Sequence, residues 1–131
     1  MLDFEIIARG FFLPEQLNID YDPSLVMPST QALSVWMEKL WQEKLVSARQ
    51  RNVPLYDAPL FRFVAAETQV ELVLNLVLGD TNYKEYVTTR TPAFAATRTR
   101  QELGNALSVC SVVETSDGHI LLDKREGVDV Y

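Results

Sequence analysis

Phe61-Arg62-Phe63-Val64-Ala65-Ala66-Glu67-Thr68-Gln69-Val70-Glu71-Leu72-Val73-Leu74-Asn75-Leu76-Val77-Leu78 is the stretch whose periodicity decides the fold. Its second half alternates: Val70, Leu72, Leu74, Leu76 and Leu78 take one face, while Gln69, Glu71 and Asn75 take the other. Period two marks a strand with its leucines toward a core. The run from Phe61 to Glu67 predicts a partner strand, and a turn near Thr68 makes the pair a β-hairpin. Gly79 breaks the run, and Asp80-Thr81 can cap a short helical segment containing Tyr83, Tyr86 and Val87 ahead of an exposed polar loop through Thr91-Pro92.

Outward from this hairpin, helical spacing governs the N-terminal side. Leu33, Trp36, Met37, Leu40, Trp41, Leu45 and Ala48 recur three and four residues apart, with Ser29 or Thr30 placed to cap and Pro54 ending the helical region. Glu38, Lys39, Gln42, Glu43 and Arg49 form a wet opposite face, which leaves Trp36 and Trp41 as packing residues. Asp3 to Arg9 reads as an opening strand, followed by a loop punctuated by Pro14, Pro23 and Pro28. On the C-terminal side Ala106 to Thr115 is β-prone, and Asp117-Gly118 suits a tight turn into Ile120 to Lys124, a second hairpin. The expected fold is α+β, with antiparallel hairpins packed against one long amphipathic helix.

The 131 residues, 47% hydrophobic, fit a compact globular protein. A net charge of −6 disfavours nucleic acid, whose nonspecific binding depends on Lys and Arg displacing counterions. The apolar runs are too short for a bilayer helix, and the acidic start lacks the pattern of a secretory signal, so no membrane partner and a cytoplasmic location are expected. Cys110 is the only cysteine; it sits in an apolar β-prone run without a nearby activating base and reads as a buried, inert thiol. His119, the only histidine, lies beside a turn glycine and reads as exposed and structural.

Asp20-Tyr21-Asp22 opens like a calcium loop, but Leu25 and Gln31 stand where the turn glycine and bidentate glutamate belong. Glycines 10, 79, 104, 118 and 127 are scattered singly, so no phosphate-cradling loop is formed. Lys84, Arg90, Arg98 and Arg100 are the one polar grouping suited to a phosphate-bearing ligand, against the plainer reading of a solvated surface.

Two blocks carry a resemblance. Leu55-Tyr56-Asp57-Ala58-Pro59-Leu60-Phe61-Arg62-Phe63 and Leu76-Val77-Leu78-Gly79-Asp80-Thr81-Asn82-Tyr83-Lys84-Glu85-Tyr86-Val87, in this order, resemble Nudix hydrolases of the UDP-sugar-cleaving branch. Tyr56, Phe61, Arg62, Gly79, Thr81 and Tyr83 match the branch as they stand; of its next Gly-Thr-Asn, only Thr89 is kept in Thr88-Thr89-Arg90. Glu102 through Arg125 looks like the first hairpin of a Nudix α/β/α sandwich. The resemblance implies a recognition module over residues 1–100 and the opening hairpin of an incomplete Nudix domain over 101–131. It places Arg62 near the nucleotide and Arg125 on the strand lining the phosphate cleft, and with Tyr83, Thr89 and the basic Arg90 these form the expected substrate-binding set.

Magnesium or manganese is expected for the whole enzyme, because pyrophosphate cleavage needs cations held by clustered carboxylates. In the family those carboxylates belong to a Nudix box following this hairpin. Gly127-Val128-Asp129-Val130-Tyr131 reads as the middle of a structured segment, so the expectation is that polypeptide continues and that this portion alone does not catalyse. The rival expectation is a non-catalytic α+β domain binding a protein or small ligand, dimeric through a sheet edge.

Overall fold

A computed structural model describes residues 6–68 and 73–121. The fold is α+β, and its order is β1 (Leu17–Tyr21), α1 (Gln31–Gln50), β2 (Pro59–Thr68), β3 (Leu74–Asn82), α2 (Tyr83–Thr89), α3 (Pro92–Ala95), β4 (Val113–Glu114) and β5 (Ile120–Leu121). Single 3-10 turns at Pro14–Gln16 and Arg100–Glu102 complete it. β2 and β3 pair antiparallel, from Pro59 opposite Asn82 to Thr68 opposite Leu74. The register shifts between Phe63 and Ala65, so Val64 is an extra residue that bends and twists the strand. Thr68, near which the turn is expected, still pairs as the last residue of β2, and residues 69–72, with Val70 and Leu72 of the expected second strand, lie outside the described residues.

β3 is central, because β1 adds to its other side in parallel, Leu17 opposite Leu74 through Tyr21 opposite Leu78. This strand falls within the segment expected to be a loop. The expected opening strand is absent over residues 6–9, and its beginning lies outside the described residues. The Leu-Asn-Ile-Asp-Tyr sequence of β1 has the required alternation, but Pro14 and Pro23 flank it closely and dominate a local reading.

α1 forms where its 3.6-residue spacing predicts. Thr30 caps it by accepting from Leu33 N–H (3.2 Å), and Met37, Trp41 and Ala48 make its buried stripe. It packs on α2, with Trp41 meeting the edge of Tyr83 at 6.2 Å between ring centroids. Trp36 stacks on Phe94 of α3 at 4.8 Å, so both tryptophans are indeed packing residues. Met27, Met37, Trp41, Ala48 and Leu78 are the buried apolar side chains among the described residues. Gly79 lets the 22–28 loop press against β3: a Cβ there would lie 1.9 Å from the Leu25 carbonyl oxygen. Only a hydrogen fits.

The first strand of the second hairpin is shorter than expected, and residues 122–124 of its expected second strand lie outside the described residues. Val113–Glu114 pairs with Ile120–Leu121 around the Asp117-Gly118 turn, whereas residues 107–112 form no strand. Upstream, Ala106 makes an isolated bridge to Arg62, Phe63 N–H donates to Asn105 O (2.8 Å), and Leu107 N–H donates to Phe61 O (2.8 Å). β-Propensity in Ala106 to Thr115 therefore has partners only at its two ends. Cys110, placed between them, is exposed rather than buried.

Candidate functional site

The two resemblance blocks meet at the start of α2. Pro59 at the head of β2 lies opposite Asn82 at the end of β3, so the chain before β2 passes the first turn of α2. Three N–H groups of that turn are then satisfied in succession: Tyr83 by Ala58 O (2.9 Å), Lys84 by an Asp57 carboxylate oxygen (2.9 Å), and Glu85 by the Asn82 side chain (2.8 Å). Asn82 is thus the cap, one residue beyond the expected Asp80-Thr81. Thr81 instead donates its hydroxyl to the Glu85 carboxylate (2.9 Å).

Behind α2 lies a polar interior. Arg62 is 5% exposed, Thr81 7%, Thr88 0% and Thr89 1%. Arg62 lies opposite Gly79 in the ladder, and its guanidinium donates to Gln101 O (2.6 Å) and Leu103 O (3.4 Å). Burial lowers the Arg62 pKa from its ordinary value, with Glu85 opposing the change. Thr89 donates to Glu85 O (2.7 Å) and accepts from Gly104 N–H (3.0 Å). Gly104 fits there because even a Cβ would sit 2.8 Å from Tyr86 N. Among the described residues no buried side-chain nitrogen or oxygen lacks a partner.

Of the expected binding residues, Arg62 and Thr89 therefore lie inside, with hydrogen bonds to the protein's own backbone. Tyr83 is half-buried between Trp41 and Tyr86, its ring 6.2 Å from each by centroid. Arg90 caps the C-terminal end of α2, exposed, with its guanidinium 5.1 Å from the centre of the Tyr86 ring and hydrogen-bonded to the Tyr86 hydroxyl. Arg125 lies outside the described residues. Tyr83, Thr89 and Arg90 share α2 and its cap, and the Glu85 charge on the same helix acts on the Arg62 guanidinium.

The wider basic grouping is not one open patch. Lys84 Nζ pairs with Glu38 of α1 (3.2 Å), and Arg98 pairs with Glu102 (3.1 Å) while its guanidinium stands 5.0 Å from the Phe94 ring centre. Glu38 is held below the usual carboxylate range by Gln42 first and Lys84 second. Such exposed pairs contribute little to stability but fix where the charges stand. Sequence reasoning missed the Tyr86–Arg90 pairing, although its four-residue spacing within a helical segment would place the two side chains together.

No three His, Cys, Asp or Glu side chains among the described residues converge as a cation cage. These residues do not fit the magnesium or manganese site expected of the whole enzyme. His119 is exposed as expected, 3.2 Å from Asp117. No helix among the described residues is long and apolar enough to cross a membrane. No protein-family model matches the chain, and no curated protein matches it.

Proposed function

We propose that this chain is the N-terminal recognition portion of a cytoplasmic Nudix-type hydrolase acting on a nucleoside diphosphate-linked substrate, a UDP-sugar being the best fit to the resemblance. The observation that carries the reading is the union of the two resemblance blocks around α2, through Ala58, Asp57 and the β2–β3 ladder. Residues that resemble the family in sequence thereby form a single physical unit. Arg90 supplies an exposed guanidinium, a group suited to phosphate oxygens, held against the Tyr86 ring, and Tyr83 packs on the same Tyr86 ring. Arg62 and Thr89 act as positioning residues, Arg62 holding β2 and Thr89 holding α2 to the 101–104 segment.

The chemistry of cleavage lies elsewhere in this reading. A divalent cation would neutralise the developing charge on the phosphoanhydride, and the carboxylates holding it would belong to a Nudix box. Residues described here bind and orient only.

Titration calorimetry with UDP-glucose in the presence of magnesium tests the reading. Binding heat without turnover is expected, and Arg90→Ala should weaken affinity about tenfold, the loss of one charge-assisted phosphate contact. Absence of heat with the wild-type chain, or hydrolysis by this chain alone, would refute it.

A further inference from the structure

The sheet has two edges, and the protein treats them differently. The outer edge of β2 is covered at Phe61 and Phe63 by hydrogen bonds from the 105–107 segment. β1, the other edge, has all five residues exposed, among them Leu17 (40%), Ile19 (57%) and Tyr21 (47%). Exposed edges are ordinarily blunted by proline, a bulge or a charge projecting where a partner strand would sit. β1 has neither proline nor bulge, and its one charge, Asp20, lies on the opposite face from Leu17, Ile19 and Tyr21.

The phase of its backbone follows from one bond. Asp22 N–H donates to Leu78 O (3.0 Å) in continuation of the β1–β3 ladder, so even-numbered residues turn their peptide groups toward β3. Leu17, Ile19 and Tyr21 turn theirs outward. Leu17 N–H is already used by Pro14 O, but its carbonyl, and both groups of Ile19 and Tyr21, face the side on which no strand among the described residues pairs.

We infer that β1 is the pairing edge for a second copy of this chain, antiparallel and centred on Ile19. In that register Ile19 exchanges both peptide hydrogen bonds with its copy, and each Tyr21 N–H donates to the Leu17 carbonyl of the other strand. Leu17 stands beside Tyr21 of the other copy on the apolar face, and Asn18 stands opposite Asp20 on the polar face. Asn18 spends one amide proton on Asn75 Oδ1 (3.0 Å), leaving its second for that carboxylate.

Neighbouring registers fail for stated reasons. Centring on Asp20 sets two carboxylates face to face, which is unfavourable. Centring on Asn18 runs Tyr21 against Glu15, inside the Pro14–Gln16 turn, where no ladder continues. Shifts by an odd residue set apolar against polar faces and misalign the peptide groups. The interface is small and each copy carries a net charge of −6, so association is weak and strengthened by salt.

Sedimentation equilibrium of the chain in moderate salt, from about 10 μM to about 1 mM, reads this directly. A monomer–dimer equilibrium is expected, and Ile19→Lys, which sets two ammonium groups opposite each other, should raise its midpoint about tenfold while leaving the far-UV circular dichroism unchanged. A second readout avoids dependence on that variant. Directly opposed, hydrogen-bonded residues stand ~5.5 Å apart at Cα, within disulfide reach. In a Cys110→Ser background, Ile19→Cys should cross-link on mild oxidation, and Val35→Cys, exposed on α1, should not. A monomer mass over the whole range, a dimer indifferent to Ile19→Lys, or equal cross-linking at positions 19 and 35 would each overturn the inference.

Discussion

Thr89 shows how a residue can match a family pattern and yet spend its chemistry internally. Its hydroxyl donates to Glu85 O and accepts from Gly104 N–H in a 1% exposed position. Thr89→Val keeps the shape but strands the Gly104 amide away from water, which should cost about 1–3 kcal/mol in urea unfolding, while Thr89→Ser should cost less. Equal losses would mean that the methyl group, not the hydroxyl, matters. Glu102 presents the exposed counterpart: the Thr99 backbone N–H, then the Thr99 hydroxyl, then Arg98 hold it below the usual carboxylate range. A lowered folded value favours the ionised form, so its contribution is complete above the unfolded value of ~4.3 and fades as pH falls through the folded one. NMR titration should place the Glu102 midpoint below that of an unfolded glutamate, and Thr99→Val and Arg98→Ala should each raise it. The resemblance grouped Arg62, Thr89 and Arg90 in one binding set, but not which of them would face water. That depends on Gln101, Leu103 and Gly104 closing over Arg62 and Thr89, contacts across 39, 41 and 15 residues of chain that no local pattern encodes.

At the scale of elements, legibility tracked how far each segment's pattern could be satisfied by itself. α1 and its Thr30 cap were legible because both the 3.6-residue stripe and the capping oxygen are local. β2 and β3 were legible as alternating neighbours, although β3 continues through Gly79 to Asn82, paired with β2 along this length, and Gly79 leaves room for Leu25 instead of ending the strand. β1 was illegible for the opposite reason: it becomes a strand only by adding in parallel to β3, some 57 residues away. α2 sits between these cases, a helix of 7 residues too short to persist unaided. Its first turn depends on Asp57 and Asn82 jointly, so Asp57→Ala and Asn82→Ala should each cost about 1 kcal/mol. The double variant should lose more than α2 helicity alone, because Asp57 also anchors the chain entering β2. Strict additivity in a double-mutant cycle would show the two caps to be independent and would remove that coupling.

Over the whole molecule, hydrogen bonding draws a line that falls after Leu107. Gly104 is bonded to α2, and Asn105 and Leu107 to β2, whereas β4 and β5 pair with each other in a separate sheet with Val113, Ile120 and Leu121 exposed. Among the described residues this hairpin is two-stranded with bare apolar faces and has little to hold it. The 101–107 segment, by contrast, can open only if Arg62 surrenders its carbonyl partners inside the protein, which links its opening to that of the β2–β3 ladder. Native-state hydrogen exchange should therefore find the Phe63, Gly104 and Leu107 amides opening together with β3. The Thr115 amide, bonded to His119 O at 2.8 Å across the hairpin, should exchange with a far smaller protection factor. If Gly104 and Leu107 exchanged at the rate of Thr115, the segment would belong with the hairpin, and the buried guanidinium would have to stand on β2 without the support its burial requires.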